Sequence, residues 1–240
     1  MSRVVISQPM LFPWVGLLEQ VALADVYVHY SDVQFSKGSF TNRVQIKTSQ
    51  GSRWLTVPLE GLRLGQRINE VRIQDRTDWR AGHRSLLASV YEGCPWVKDM
   101  LDLVDSVYSR HFDLISDLSE ASLMALCEYF DLDEGRQFIQ ASDLGIAGSS
   151  SQRVLNIVRA VGGTQYITGH GARHYLDHDM FEAAGITVSY MDYQLQPYPQ
   201  AHGAFTPYVS ALDLVANTGR EGRKFIGSGT RLWKDFLNHE

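Results

Sequence analysis

Four groups of residues in this 240-residue chain place amide, imidazole, carboxylate and cationic side chains close enough together to do chemistry. The first is Gln8-Pro9-x-x-Phe12-Pro13-Trp14-x-Gly16. Two prolines fix its backbone, Gly16 permits a close approach, and a helix starting there offers free N–H groups to an anion. Gln8 and Trp14 are its candidate ligand-holding residues; the alternative is a rigid turn with Trp14 packed in the core. The second is Asp32-Val33-Gln34-Phe35-Ser36-Lys37 followed by Asn42-Arg43, which sets a carboxylate, two amides and two cations within twelve residues. That mixture suits a sugar ring and a phosphate. Arg43 can grip phosphate bidentately, Gln34, Lys37 and Asn42 can add polar contacts, and Asp32 can act as a general base. A solvated loop and hairpin is the structural alternative.

The third group is Gly169-His170-Gly171-Ala172-x-x-Tyr175, after an apolar run. Gly169 and Gly171 let backbone come close to a ligand, His170 can shuttle protons near neutral pH, and Tyr175 can contact the same ligand. His174 and His178 are four apart but lack a third ligand, so no metal site is predicted. Ser149, with Ser150, precedes a helical pattern and is either a cap or a phosphate holder. The fourth is Tyr198 to Phe205, which includes His202, then Ser210, Asp213 and Asn217. A long loop with aromatic, amide and imidazole groups commonly closes over a site, and His202 is its candidate binding residue. His83, isolated in a helical pattern, reads as a satisfied structural histidine. No G-x-G-x-x-G, Walker or G-x-S-x-G motif occurs.

The elements that must position these groups alternate. Val4 to Ser7 reads as a strand stopped by Pro9 and Pro13, Trp14 to Ala24 as a helix, and Val26 to Tyr30 as a second strand. Strand–turn–helix–strand begins a parallel sheet, and ligands bind beyond the carboxyl ends of such strands. Phe40 to Pro58 reads as a hairpin, and Asn69 to Gln74 alternates as if to pair with it. Three helices follow, Asp78 to Tyr91 after a Thr77 cap, Val97 to Ser109, and Phe112 to Phe130. Phe138 to Ala141, Gln165 to Thr168 and Ile186 to Tyr190 are further strands, with a helix from Ser149 to Val161 and a short helical stretch carrying Tyr175 and Leu176. The tail from Gly219 is weakly patterned. The expected fold class is α/β: a Rossmann-like parallel sheet with helices on both faces, a single domain over 1–240, a β-hairpin insertion at about 36–75 and a helical segment at about 77–131.

Composition narrows the function classes. Hydrophobic residues make up 44% and the net charge is −5, so strong nonspecific nucleic-acid binding is not expected. No run of roughly 18 apolar residues occurs, so no membrane span is expected, and the N-terminus does not read as a signal peptide. Cys94 and Cys127 lack a C-x-x-C spacing and read as buried small hydrophobes in a reducing, hence cytoplasmic, compartment.

Taken jointly, Gln8-Pro9, Phe12-Pro13-Trp14-x-Gly16, Asp32-Val33-Gln34-Phe35, Asn42-Arg43, Trp54-Leu55-Thr56-Val57-Pro58, Tyr166 with Gly169 and Gly171, and Ser210 with Asp213 and Asn217 give a chain that resembles the WbqC-like family, from residue 4 to about 219. One departure is Ser31, where many members of the family have a second Asp beside Asp32. The resemblance implies a place among bacterial surface-polysaccharide proteins, in O-antigen or lipopolysaccharide biosynthesis. It implies action on a nucleotide-linked 4-amino-4,6-dideoxy sugar by acyl or aminoacyl transfer, glycyl transfer included. It supplies no agreed catalytic residues. The opening strand–turn–helix–strand also resembles nucleotidyltransferase-type folds, but the turn lacks the paired histidines that bind triphosphate there.

The expected function is therefore a transferase modifying the amine of a nucleotide-linked amino sugar, with Asp32 or His170 as the base. Alternatives are a noncatalytic nucleotide-sugar-binding or scaffold protein of the same pathway, and a nucleotidyltransferase or ligase-like enzyme. Nothing has the pattern of a CoA or folate site. No cofactor is predicted, and the donor is left open, with an aminoacyl donor as one alternative.

Overall fold

Val4, Val5 and Ile6 are all buried, and so are Val26, Tyr27 and Val28. Side chains alternate across a strand, so such runs need cover on both faces. The computed structural model, which describes residues 1–238, supplies that cover. Strand β1 (Arg3–Ser7) leads through helix α1 (Val15–Leu23) to β2 (Val26–His29). After a long insertion come β7 (Gln137–Gln140), α5 (Ser150–Ala160), β8 (Gln165–Thr168), α6 (His178–Ala183) and β9 (Thr187–Asp192). The sheet order is β10-β9-β8-β1-β2-β7, all parallel except the edge strand β10 (Gly229–Leu232), which runs antiparallel to β9.

Two cores lie on opposite faces. Val5, Tyr27, Ile167 and Met191 meet Leu17, Leu18 and Val21 of α1. Val4, Ile6, Val26, Val28, Tyr166 and Val188 meet Val154, Leu155 and Val158 of α5, Phe181 of α6 and Phe236 of α8 (Trp233–Asn238). The chain lays β2 and β7 on one side of β1, then crosses over the opposite face to lay β8 and β9 on the other. Right-handed crossovers require that change of face. It leaves a topological switch point at the carboxyl ends of β1 and β8, where open α/β sheets hold ligands.

Between β2 and β7, the hairpin β3 (Arg43–Thr48) and β4 (Gly51–Thr56) pairs from Arg43↔Thr56 to Thr48↔Gly51. The expected strand at Asn69–Gln74 does not join it. Ile68 and Val71, three apart, are both fully buried, and Ile68–Glu70 turns as a 3-10 helix. Only β6 (Arg72–Ile73) is extended, and it pairs with β5 (Leu59–Glu60). Helices α2 (Trp79–Val90), α3 (Val97–Tyr108) and α4 (Ile115–Tyr129) follow. The cap of α2 is Asp78, whose side chain accepts from Ala81 N, one residue after the expected Thr77.

Beyond β8, His170–His174 is a 3-10 turn, Tyr175 and Leu176 lie outside any helix, and Asp177 caps α6. His174 and His178 therefore belong to different elements; the His178 Nε2 bonds Tyr190 OH and its ring stacks on Trp233. The tail forms a 3-10 turn over Gly219–Phe225, then β10 and α8. Among the described residues no helix is long and apolar enough to cross a membrane, and no cluster of three His, Cys, Asp or Glu could hold a metal.

Candidate functional site at the switch point

Phe12 has φ 36°, a left-handed value unusual for a bulky residue. Four hydrogen bonds hold the turn in it. Phe12 N donates to Ser122 Oγ at 2.7 Å, Phe12 O accepts from Ser210 Oγ at 2.7 Å, Leu11 N donates to Phe40 O at 3.0 Å, and Ala211 N donates to Pro13 O at 2.8 Å. Ser210 is also the cap of α7 (Ala211–Thr218). A strained turn this constrained presents its side chains in one arrangement. It sets the Trp14 indole over Gly16, where an added Cβ would lie 2.2 Å from the ring. Trp14 then faces Tyr193 and Tyr208, with ring centroids 5.1 and 5.9 Å away.

These rings wall a cleft of about 690 Å³ at the carboxyl ends of β1 and β8. Gln8, Trp14, Gly169, His170, Gly171 and Tyr175 all line it. Gln20 Nε2 donates to Tyr193 OH at 2.8 Å on the same wall. The His170 Nε2 lies 2.7 Å from Met191 O. A carbonyl only accepts, so Nε2 carries the proton and a neutral ring keeps its lone pair on Nδ1. Tyr193 and Phe236 pack against the imidazole, with centroids 5.2 and 4.8 Å away. The ring is thus held by one hydrogen bond through Nε2 and by two aromatic neighbours.

A second cleft, of about 580 Å³, lies beyond the carboxyl ends of β2 and β7, and Tyr30 belongs to both. Asp32, Gln34, Arg67, Ser149 and Arg153 line it. Arg153 is buried, donates to Asp32 Oδ2 and to Ile146 O, and lies 5.0 Å over the Tyr30 ring. Asp32 Oδ1 has no hydrogen-bond partner among the described residues. Ser149 precedes α5 without capping it through its side chain, and with Ser150 it brings that end of the helix to the cleft wall.

Four expected site residues lie elsewhere. Lys37 is exposed in a turn and lines neither cleft. Asn42 Nδ2 donates to Val57 O at 3.0 Å, bracing the hairpin. Arg43 donates to Gly38 O and lies 4.1 Å over the Trp54 ring. His202 Nε2 donates to Val90 O at 2.7 Å. Lys37, Asn42 and Arg43 sit on the insertion and His202 on the 193–209 loop, at parts of those segments that line neither cleft. A buried network pins that loop. Lys47 Nζ donates to Gln200 Oε1, Gly203 O and Ala204 O, and Asp213 accepts from Tyr91 OH and Tyr198 OH. Burial pushes the Asp213 carboxyl up, opposed by those two phenols.

Sequence reasoning missed Tyr30, Gln20, Tyr193, Tyr208, Arg67 and Arg153. Tyr30 and Tyr193 follow the ends of parallel strands, a position that itself points to the crevice. Arg153 lies four residues after Ser149, one helical turn in. Nothing local marked Gln20, Arg67 or Tyr208.

The WbqC-like protein family model matches residues 8–225 of this chain, nearly all of it, including every cleft-lining residue but Ile6 and Ser7. The chain belongs to the WbqC-like protein family. A Mycobacterium tuberculosis relative, described as uncharacterized protein Rv1507c, is 33% identical over 230 residues, covering 94% of this chain and 98% of its own. Among solved structures, that of CmiS6 aligns with a TM-score of 0.20 and 9% identity over 80% of this chain and 57% of that one. In this WbqC-like protein the motif residues divide by task. Gln8, Trp14, Asp32, Gln34, Gly169 and Gly171 line clefts, whereas Asn42, Ser210, Asp213 and Asn217 brace the turn, hairpin and loop around them.

Proposed function

We propose that the protein is a transferase that acylates or aminoacylates the amine of a nucleotide-linked amino sugar, such as a 4-amino-4,6-dideoxy sugar in bacterial surface-polysaccharide biosynthesis. The observation that carries this reading is the pair of unlike clefts meeting at Tyr30. One is aromatic and holds an oriented imidazole; the other holds Arg67, Arg153 and a helix N-terminus. A nucleotide sugar has the matching halves, a ring with apolar faces and a diphosphate.

In this reading the sugar sits against Trp14 and Tyr175, Gln8 contacts its polar edge, and the phosphates face Arg67 and the first turn of α5. The amine attacks the donor's carbonyl carbon and forms the C–N bond. Its proton passes to His170 Nδ1, and the donor's leaving group departs with the electron pair of the broken acyl bond. Asp32, committed to Arg153, holds that cation over Tyr30.

The test incubates purified protein with dTDP-4-amino-4,6-dideoxyglucose and a panel of acyl and aminoacyl donors, and follows product mass. A nucleotide sugar heavier by one acyl group supports the reading. Tight nucleotide-sugar binding with no product from any donor would leave a binding or scaffold protein instead. Pyrophosphate release from ATP would favour a ligase-like enzyme.

A further inference from the structure

A narrow crevice, also bounded by Trp14 and Leu195, contains a group that this reading does not use. Glu19 on α1 is 1% exposed, and among the described residues neither of its carboxylate oxygens has a hydrogen-bond partner. Ser228 is beside it, but the Ser228 hydroxyl donates its proton to Asp192 O at 2.7 Å. Burial accordingly pushes the Glu19 carboxyl up to about 7. A buried carboxyl with no donor is costly to keep unless something completes it.

The shape of the crevice says what could. Besides Glu19 it is walled by Trp14, Tyr198 and Phe205, with Val15 and Pro207. Its free volume is about 10 Å³, room for a single water-sized group. An alkylammonium head has that size, brings three N–H donors to two unpartnered oxygens, and carries the charge that aromatic rings attract. We propose that the Glu19 crevice is a binding site for a primary ammonium group, seated between the Glu19 carboxylate and the rings of Trp14, Tyr198 and Phe205. The site is separate from the transferase reading, because it needs neither a nucleotide sugar nor turnover.

The experiment uses the full chain and follows melting temperature and heat of binding at pH 8 and constant ionic strength. The probes are methylammonium, potassium and tetramethylammonium chlorides, with wild type and Glu19→Gln. Saturable stabilisation by methylammonium, at least tenfold tighter than by potassium, absent for tetramethylammonium and abolished in Glu19→Gln, is expected. Equal responses to potassium and methylammonium would make the crevice an inorganic-cation site and overturn the proposal. So would an equal methylammonium response in the variant, or none in wild type. A second measurement needs no substitution. Calorimetry of wild type in buffers of different ionisation heat should show close to one proton released per methylammonium at pH 6 and close to none at pH 8.5. Among the described residues the other titratable groups near Glu19 are the Tyr193 phenol, which burial pushes up to about 12, and the Tyr198 phenol on the crevice wall, which burial pushes well above its usual value, and both are silent in this range. Binding without proton release at pH 6 would overturn the assignment to Glu19.

Discussion

The Asp32 carboxylate accepts from the Arg153 guanidinium, 121 positions later in the chain, and the two side chains are only 12% and 8% exposed. Their pairing joins the segment after β2 to the first turn of α5 and holds a cation over the Tyr30 ring between the two clefts. Removing one partner of such a pair strands a buried charge, whereas removing both does not. Asp32→Ala should lose about 3–5 kcal/mol of stability in urea denaturation, and the double variant Asp32→Ala/Arg153→Met should recover at least half of that loss. A single variant as stable as wild type would show that the pair does not form in solution.

His170 is predicted to matter for rate more than for binding. His170→Gln keeps a donor for the Met191 carbonyl but cannot accept a proton. With the donor found by product mass, turnover should fall about 10²–10⁴-fold, while nucleotide-sugar affinity changes by less than about threefold. Unchanged turnover in His170→Gln would remove it as the base.

Gly16 lets the Trp14 indole lie back on α1. A Cβ at position 16 would sit 2.2 Å from that ring, so Gly16→Ala must swing the indole toward the cleft or unseat the turn. Nucleotide-sugar affinity should drop at least about tenfold, close to the effect of Trp14→Ala, with melting of the sheet otherwise cooperative. Wild-type affinity in Gly16→Ala would mean that Trp14 does not touch the ligand.

Buried titratable groups give stability two opposing pH dependences. Burial pushes the carboxyls of Glu19 and Glu120 up to about 7. A carboxyl raised in the folded state favours folding below its unfolded value, and that contribution is lost as pH rises to about 7. Burial pushes His29 and His83 down to about 4. A lowered imidazole contributes stability above about 6.5 that is lost as pH falls through its folded value. The net profile of wild type is therefore flat near neutrality, and a variant is needed to separate the terms. Glu19→Gln should match wild type at pH 4 and become the more stable protein as pH rises, by on the order of 3 kcal/mol at pH 8 without added amines. A pH-independent difference would show that the buried carboxyl does not titrate in this range.

The parallel core was legible in the sequence because its strands are unbroken apolar runs, and Gln8, Trp14 and the Gly169–Gly171 segment were legible because they follow those strands. β10 was not, because all four of its residues are exposed on a sheet edge and carry no apolar pattern. Arg43 and Lys37 have phosphate-binding chemistry, but the hairpin that carries Arg43 and the turn that carries Lys37 place them at neither cleft. Local spacing cannot report that placement. Arg153 was invisible for the converse reason: its role comes from Asp32, which only the fold brings to it.

The proposed function requires one ligand spanning both clefts, and two exposed residues test that directly. Arg67 lines only the second cleft and Tyr175 only the first, and both are exposed enough for truncation to spare the fold. Calorimetric titration of dTDP and dTDP-4-amino-4,6-dideoxyglucose into wild type, Arg67→Ala and Tyr175→Ala separates the halves. Arg67→Ala should weaken both ligands equally, by about tenfold for a lost charged contact. Tyr175→Ala should leave dTDP unchanged and weaken only the nucleotide sugar. No binding of either ligand to wild type, or a loss of dTDP affinity in Tyr175→Ala with none in Arg67→Ala, would contradict the placement of the nucleotide sugar across Tyr30.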